Sequence, residues 1–152
     1  MINNILFAYD DTEVSHKALA YVKIFALKFG AKVKLVHIYS SPSFIPNLEF
    51  GQITPVFSND MEQTFRKRGE QTLLEVQKEF KDMDVEISTE LVRSESIGST
   101  IIEICKNESF DLLVLGRHLK TGFESFFMGS TTEHITHEVK CPVLIISEKP
   151  NS

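Results

Sequence analysis

Four runs of the chain are apolar or nearly so: Ile5–Tyr9, Val33–Tyr39, Leu112–Leu115 and Val143–Ile146. Runs that leave no solvent face predict strands covered on both sides. A fifth stretch, Val85–Leu91, alternates apolar and polar residues. That pattern predicts a strand with one wet face or an edge position. Between the strands, apolar residues recur at three-and-four spacing, which predicts helices with one buried face. The first carries Val14, Ala18, Tyr21, Val22, Phe25 and Phe29 and stops at Gly30, which can supply a left-handed cap. The second runs from about Asn59 to Asp82 with Met61, Phe65, Leu73, Val76 and Phe80 as its stripe. The third places Ile97, Ile101, Ile104 and Cys105 on one side. The fourth starts at Gly129-Ser130-Thr131, where Ser130 and Glu133 have the spacing of a capping box, and breaks at Lys140-Cys141-Pro142. Ser40–Phe57 holds three prolines and no helical period, so it reads as a long loop.

Alternating strands and helices predict an α/β fold: a doubly wound, five-stranded parallel sheet in the order 3-2-1-4-5, with helices on both faces. Residues 1–148 form one domain in this reading, and 149–152 a flexible tail. The order makes strands 1 and 4 neighbours where the winding reverses. Ligands bind such sheets outside the carboxyl ends of the strands at that point. Those ends are Asp10-Asp11-Thr12 and Gly116-Arg117-His118. The glycine-led helix start at Gly129 belongs to the same region. Its N–H groups and the positive end of its dipole suit an anion. Ser130 and Thr131 add hydroxyls, and Arg117 or His118 could add charge-assisted contacts.

Composition narrows the classes. The chain has 152 residues, 42% apolar and 24% charged, with a net charge of −5 from 21 acidic and 16 basic side chains. That balance argues against nucleic-acid binding by bulk charge. No apolar run approaches membrane-spanning length, and the first residues lack a basic region and cleavage site, so the expected location is cytoplasmic. The two cysteines, Cys105 and Cys141, lack metal-ligand spacing and are expected to stay reduced.

Several segments, in order, resemble the universal stress proteins over nearly the whole chain. ILFAYDDTEVSHKAL is similar to their first strand, aspartate turn and helix; LVHIY to their second strand; FDLLVLGRH to their fourth; CPVLIIS to their fifth. Their nucleotide-binding pattern is G-x2-G-x9-G-[ST]. Here Gly116 fits the first position and Gly129-Ser130 the last, while Leu119 stands at the second. The family includes members that bind ATP and members that do not. In the binders, the resemblance implies that Asp10 bonds the ribose or base. Main chain at Ala8, Tyr9 and Ile38 would line the adenine pocket. Gly116, Gly129, Ser130 and Thr131 would hold the phosphates. The implied ligand is ATP or a related adenine nucleotide, with Mg2+ as an optional companion. The implied function is a nucleotide-sensing stress-response regulator, homodimeric through Val143–Ile146, with an unidentified protein partner. A leucine at 119 in place of glycine would weaken binding about tenfold if forced left-handed. The rival reading is a dimeric interaction module with a vestigial site. Occupancy would order Lys120–Met128 and change what partners meet.

Other candidates are weaker. Asp10-Asp11 could be the acidic pair of a receiver domain, with Lys149-Pro150 echoing its last lysine. A receiver also needs an aspartate at a central strand end, where this chain has Gly116. Asp11 otherwise reads as a helix cap. His134 and His137 share a helical face without a third ligand, which favours surface or dimer residues. His37 reads as a buried, hydrogen-bonded strand residue, and His16 as solvated. Phe123, Phe126 and Phe127 read as packing under the loop that follows strand 4. No nucleophile–base–orienter set is visible, so a dedicated enzyme is not expected, and any ATP hydrolysis would be slow and incidental.

Overall fold

The computed structural model describes residues 1–40, 45–47, 52–54, 59–117 and 129–148. The elements run β1 (Asn4–Ala8), α1 (Glu13–Phe29), β2 (Lys32–Tyr39), β3 (Ile45–Asn47), β4 (Gln52–Thr54) and α2 (Asn59–Lys78). They continue β5 (Ile87–Arg93), α3 (Ile97–Asn107), β6 (Leu112–Arg117), α4 (Ser130–Glu138) and β7 (Val143–Ser147). The main sheet has the order β5-β2-β1-β6-β7 with every pair parallel. Its strands taken by sequence give the expected order 3-2-1-4-5. The alternating strand, β5, lies at one edge, and β7 at the other.

Period-two alternation along β1 splits the core in two. Ile5 and Phe7 face α1 and α2, in a cluster with Val22, Leu35, Val76 and Phe80. Leu6 faces the opposite side with Val36, Ile101, Leu113 and Ile135, under α3 and α4. Each strand of the sheet's centre is therefore buried from both sides, which is why its sequence lacks a polar face. The start of β1 is clamped by Asp111, whose Oδ2 accepts the N–H groups of Asn3 (2.8 Å) and Asn4 (2.9 Å). Those two bonds hold its carboxyl below the usual carboxylate range. Lys34 bridges Glu90 and Glu108, tying the end of α3 to the sheet.

Several local expectations change. Within Ser40–Phe57, β3 and β4 form an antiparallel ribbon, because three residues on each side pair in register. Helix α2 ends at Lys78, four residues early; Glu79, Phe80 and Lys81 each donate to the carbonyl three residues back, so the chain closes in turns. Strand β5 begins at Ile87, and β6 runs on through Arg117. On α1, Gly30 does cap in the left-handed region at φ 63°. The buried face of that helix is Val14, Ser15, Ala18, Leu19, Val22 and Ala26, leaving Tyr21 and Phe29 exposed. Ile97 on α3 is likewise exposed, with Ile101, Ile102 and Ile104 buried. The expected stripes otherwise hold, with Val14, Ala18, Val22, Ile101 and Ile104 buried and Phe25 and Cys105 packed on the core; the three exceptions sit on helices richer in apolar residues than one buried stripe needs.

Cys105 and Cys141 are free thiols brought together from α3 and the turn before β7. Burial, together with the neighbouring sulfur, pushes the Cys105 thiol up to about 12, which keeps it protonated. Among the described residues, no helix is long and apolar enough to cross a membrane. No three His, Cys, Asp or Glu side chains among them group as a metal site. His134 and His137 are exposed on α4.

Candidate functional site

The crevice forms where β1 and β6, paired from Ile5↔Leu112 to Ala8↔Leu115, send their chains to opposite faces. After Ala8, the N–H of Tyr9 makes a last bond to the carbonyl of Val36 (2.9 Å), and the chain turns into α1. The parallel register Ala8↔Val36 puts the N–H and C=O of Val36 on the β1 side. By the same alternation, the N–H and C=O of Ile38 also point to that side, past the turn where β1 has left the sheet. Ile38 thus offers a main-chain donor and acceptor to the crevice, as lining by main chain would require. The main chain of Tyr9 is differently placed: its N–H is committed to Val36, and its carbonyl accepts from His37 Nδ1 at 2.7 Å. A carbonyl can only accept, so Nδ1 of His37 carries a proton. His37 is hydrogen-bonded, as the strand position suggested, but half-buried rather than buried.

The turn Asp10-Asp11-Thr12 is tightly built. Asp10 Oδ1 accepts from the Thr12 N–H (3.2 Å), the Thr12 hydroxyl (2.5 Å) and the Ser15 hydroxyl. The Asp10 N–H in turn donates to Ser15 Oγ at 3.3 Å. Ser15 is a buried polar residue, 1% exposed, and this exchange satisfies it. The helix cap is Thr12, whose hydroxyl accepts the Ser15 N–H, not Asp11. Asp11 instead lies at φ 59°, the one non-glycine residue with positive φ among those described. Its Oδ1 accepts the Tyr9 hydroxyl at 3.2 Å and lies 3.3 Å from His16 Nε2. His16 was expected to be solvated; it is exposed, yet its Nδ1 also lies 3.0 Å from the Tyr9 hydroxyl. Tyr9 is buried, and that burial, followed by the Asp11 carboxylate, raises its pKa well above the ordinary value. The cluster escaped sequence reasoning because its three members lie just past a strand, in a turn and on a helix. The histidine seven residues after the tyrosine was the only signal available.

Across the crevice, Gly116, one residue before the end of β6, lies against the first turn of α1. A Cβ there would stand 3.0 Å from Val14 Cγ1 and 3.2 Å from the Ser15 nitrogen. The glycine thus lets the two halves of the crevice approach, a packing reason for it that needs no ligand. Arg117 follows, half-buried. His118, Leu119 and the residues through 128, including Gly122, Phe123, Phe126 and Phe127, lie outside the described residues, as does the Lys149-Pro150 pair.

Helix α4 starts at the same edge of the sheet. The expected capping box is not formed: Gly129 is the N-cap, Ser130 is the first helical residue, and no side chain among the described residues caps the helix. One reason is offset, since Glu133 then stands at the fourth helical position and donates its N–H to the Gly129 carbonyl (2.9 Å). The first-turn N–H groups, those of Ser130 and Thr131 among them, have no partner within the helix. Gly129 has φ −55° and ψ 149°, which any residue adopts, and a Cβ on it would meet nothing within 4 Å among the described residues. Neither backbone conformation nor neighbours require a glycine there. Thr131 packs on the start of α3, with its Cγ2 3.5 Å from where Gly98 would carry a Cβ.

The arrangement can present a carboxylate, a main-chain donor–acceptor pair and a bare helix N-terminus at one edge of the sheet. A model of the universal stress protein family matches residues 1–147. Universal stress protein MJ0577 of Methanocaldococcus jannaschii is 24% identical, with 98% of this chain aligned to 97% of that one. The solved structure of MJ0577 superposes with a TM-score of 0.79 over 99% of each chain. A universal stress protein in complex with cAMP superposes at 0.64, 17% identical, over 96% of this chain and 97% of its own. One from Archaeoglobus fulgidus in complex with dAMP superposes at 0.59, 14% identical, over 96% and 98%.

Proposed function

The chain belongs to the universal stress protein family, and on that footing we propose that it binds an adenine nucleotide, ATP in the first instance, between the ends of β1 and β6. It acts as a nucleotide-sensing regulator of a stress response rather than as a dedicated enzyme. Complexes of two relatives with cAMP and dAMP support an adenine ligand. In this reading Asp10 bonds the ribose or base, and Ala8, Tyr9 and Ile38 line the adenine. Gly116, Arg117, His118, Gly129, Ser130 and Thr131 hold the phosphates, with Mg2+ offsetting the charge that Asp10 and Asp11 place at the mouth.

The observation that carries the proposal is Gly129. It starts a helix with no side-chain cap, needs no special φ, and has nothing within 4 Å of where a side chain would be, among the described residues. Room at a helix N-terminus suits a phosphate that must approach the backbone closely. Gly129→Ala is the direct test. It should lower folding stability by about 1 kcal/mol, since alanine is a poorer N-cap than glycine. Its ATP affinity, measured by calorimetry, should fall at least about tenfold. Unchanged affinity would remove the phosphates from this helix end.

The assembly we propose is a homodimer through β7. That strand is the outer edge of the sheet, and its apolar Val143, Leu144, Ile145 and Ile146 are only half-buried. An unpaired apolar edge invites a second strand. Sedimentation should give a dimer for the wild type and a monomer for Ile145→Lys, and a monomeric wild type would refute the pairing.

A further inference from the structure

Resting on the nucleotide reading above, we propose that His16 is a positioning residue for the crevice: with Tyr9 it braces Asp11 in the left-handed turn that aims the Asp10 carboxylate. The argument begins with strain. Asp11 holds φ 59° without being glycine, and L residues occupy that region at a penalty. Aspartate tolerates it better than most, but something must favour it over the extended alternatives. Three contacts do so. The Tyr9 hydroxyl donates to Asp11 Oδ1 at 3.2 Å, His16 Nε2 stands 3.3 Å from the same oxygen, and His16 Nδ1 stands 3.0 Å from the Tyr9 hydroxyl.

Donor counting shows how the parts lock. The one phenolic proton goes to Asp11, so the Tyr9 oxygen accepts from His16. The Tyr9 hydroxyl stands 3.0 Å from Nδ1 and 3.2 Å from Nε2 of His16, so either ring nitrogen can meet it, while Nε2 also stands 3.3 Å from Asp11 Oδ1. The Tyr9 ring anchors the assembly: it is 2% exposed and meets the Phe7 and His16 rings edge-on, with centroids 5.7 and 5.5 Å apart. Asp11 is the residue between Asp10 and Thr12. Holding its φ sets the angle at which Asp10 Oδ1 meets the Thr12 N–H and the Thr12 and Ser15 hydroxyls. The ligand-facing carboxylate is therefore aimed from below by α1 and braced from behind by a second, separate cluster.

The test uses glycine, which needs no brace at positive φ. In His16→Ala, the one-bond Cα–Hα NMR coupling of Asp11, which separates positive from negative φ, should shift toward the extended value. ATP should bind roughly threefold to fivefold more weakly, the scale of one hydrogen bond. His16→Gln, whose amide can still donate to Asp11, should restore most of both. On an Asp11→Gly background, His16→Ala should change the ATP affinity no further, because nothing remains to be held. An Asp11 coupling unmoved by His16→Ala would overturn the brace, as would an equal affinity loss on the glycine background. Should the wild type fail to bind ATP, the nucleotide reading falls, and the coupling measurement alone still decides whether His16 holds the turn.

Discussion

Phe7→Ala is expected to remove about 3–5 kcal/mol of stability and Leu6→Ala about 2–5 kcal/mol, nearly additively although the residues are adjacent in sequence. Both side chains are fully buried, but they enter different clusters on opposite faces of the sheet. Phe7 leaves a hole among Val22, Leu35 and Phe80; Leu6 leaves one among Val36, Ile101 and Leu113. The backbone of β1 stands between the two cavities, so neither can relax into the other. Additivity would carry the double variant to a loss of about 5–10 kcal/mol, comparable to the whole stability of a domain this size. Urea unfolding should show two single variants with lowered midpoints and unchanged slopes, and a double variant largely unfolded without denaturant. A double loss well below the sum would mean that the two clusters communicate through the sheet.

That split core was legible in part. The apolar runs Ile5–Tyr9 and Leu112–Leu115 could be read as doubly covered strands because no residue in them suits water. The alternation of Val85–Leu91 allowed one wet face or an edge position, and the strand order put it at the edge. With those strands, the order 3-2-1-4-5 followed from handedness and short connections. The faces of α1 and α3 were harder. Tyr21, Phe29 and Ile97 fit the helical period as well as Leu19, Ala26 and Ile102 do. Which set is buried depends on how the helix rolls on the sheet. Ser15 was missed because a buried hydroxyl has no periodic signature; its partner, Asp10, is five residues away through a turn. Gly69 on α2 is a similar case, since its closeness to Leu91 and His37 exists only once α2 lies across β2 and β5.

The site was legible as a place more than as a geometry. Topology put Asp10 and Gly116 at facing strand ends from sequence alone. The capping of α4 went otherwise, because the S-x-x-E spacing that marks a box works only when serine is the cap. A shift of one residue makes glycine the cap and leaves the helix start without a side-chain cap among the described residues, which suits an anion better than the box would have. Gly116 shows a further ambiguity. Its place in the family pattern and its packing against Val14 and Ser15 both require the residue, so its presence discriminates nothing between a filled crevice and an empty one.

Asp10 does discriminate, provided its two roles are separated. At a hundredfold excess of Mg-ATP over its dissociation constant, the wild type should gain about 2.7 kcal/mol. For a chain of this length that raises the melting temperature by about 5–10 °C. Asp10→Ala should show no such rise. It should also melt lower without ligand, by about 1–3 kcal/mol, because the Ser15 hydroxyl, 1% exposed, and the Thr12 N–H both lose their acceptor. Asp10→Asn separates the effects: its amide oxygen can replace Oδ1 toward Thr12 and Ser15, restoring the turn without the charge. Its unliganded melting temperature should therefore approach that of the wild type, while the ATP-induced rise stays reduced. A full rise in Asp10→Ala would place the nucleotide elsewhere on the molecule. No rise in the wild type at millimolar Mg-ATP would leave the crevice vestigial and the protein a dimeric interaction module. In that case Asp10 would serve only as the knot between β1 and α1, and the alanine variant would still show its unliganded loss.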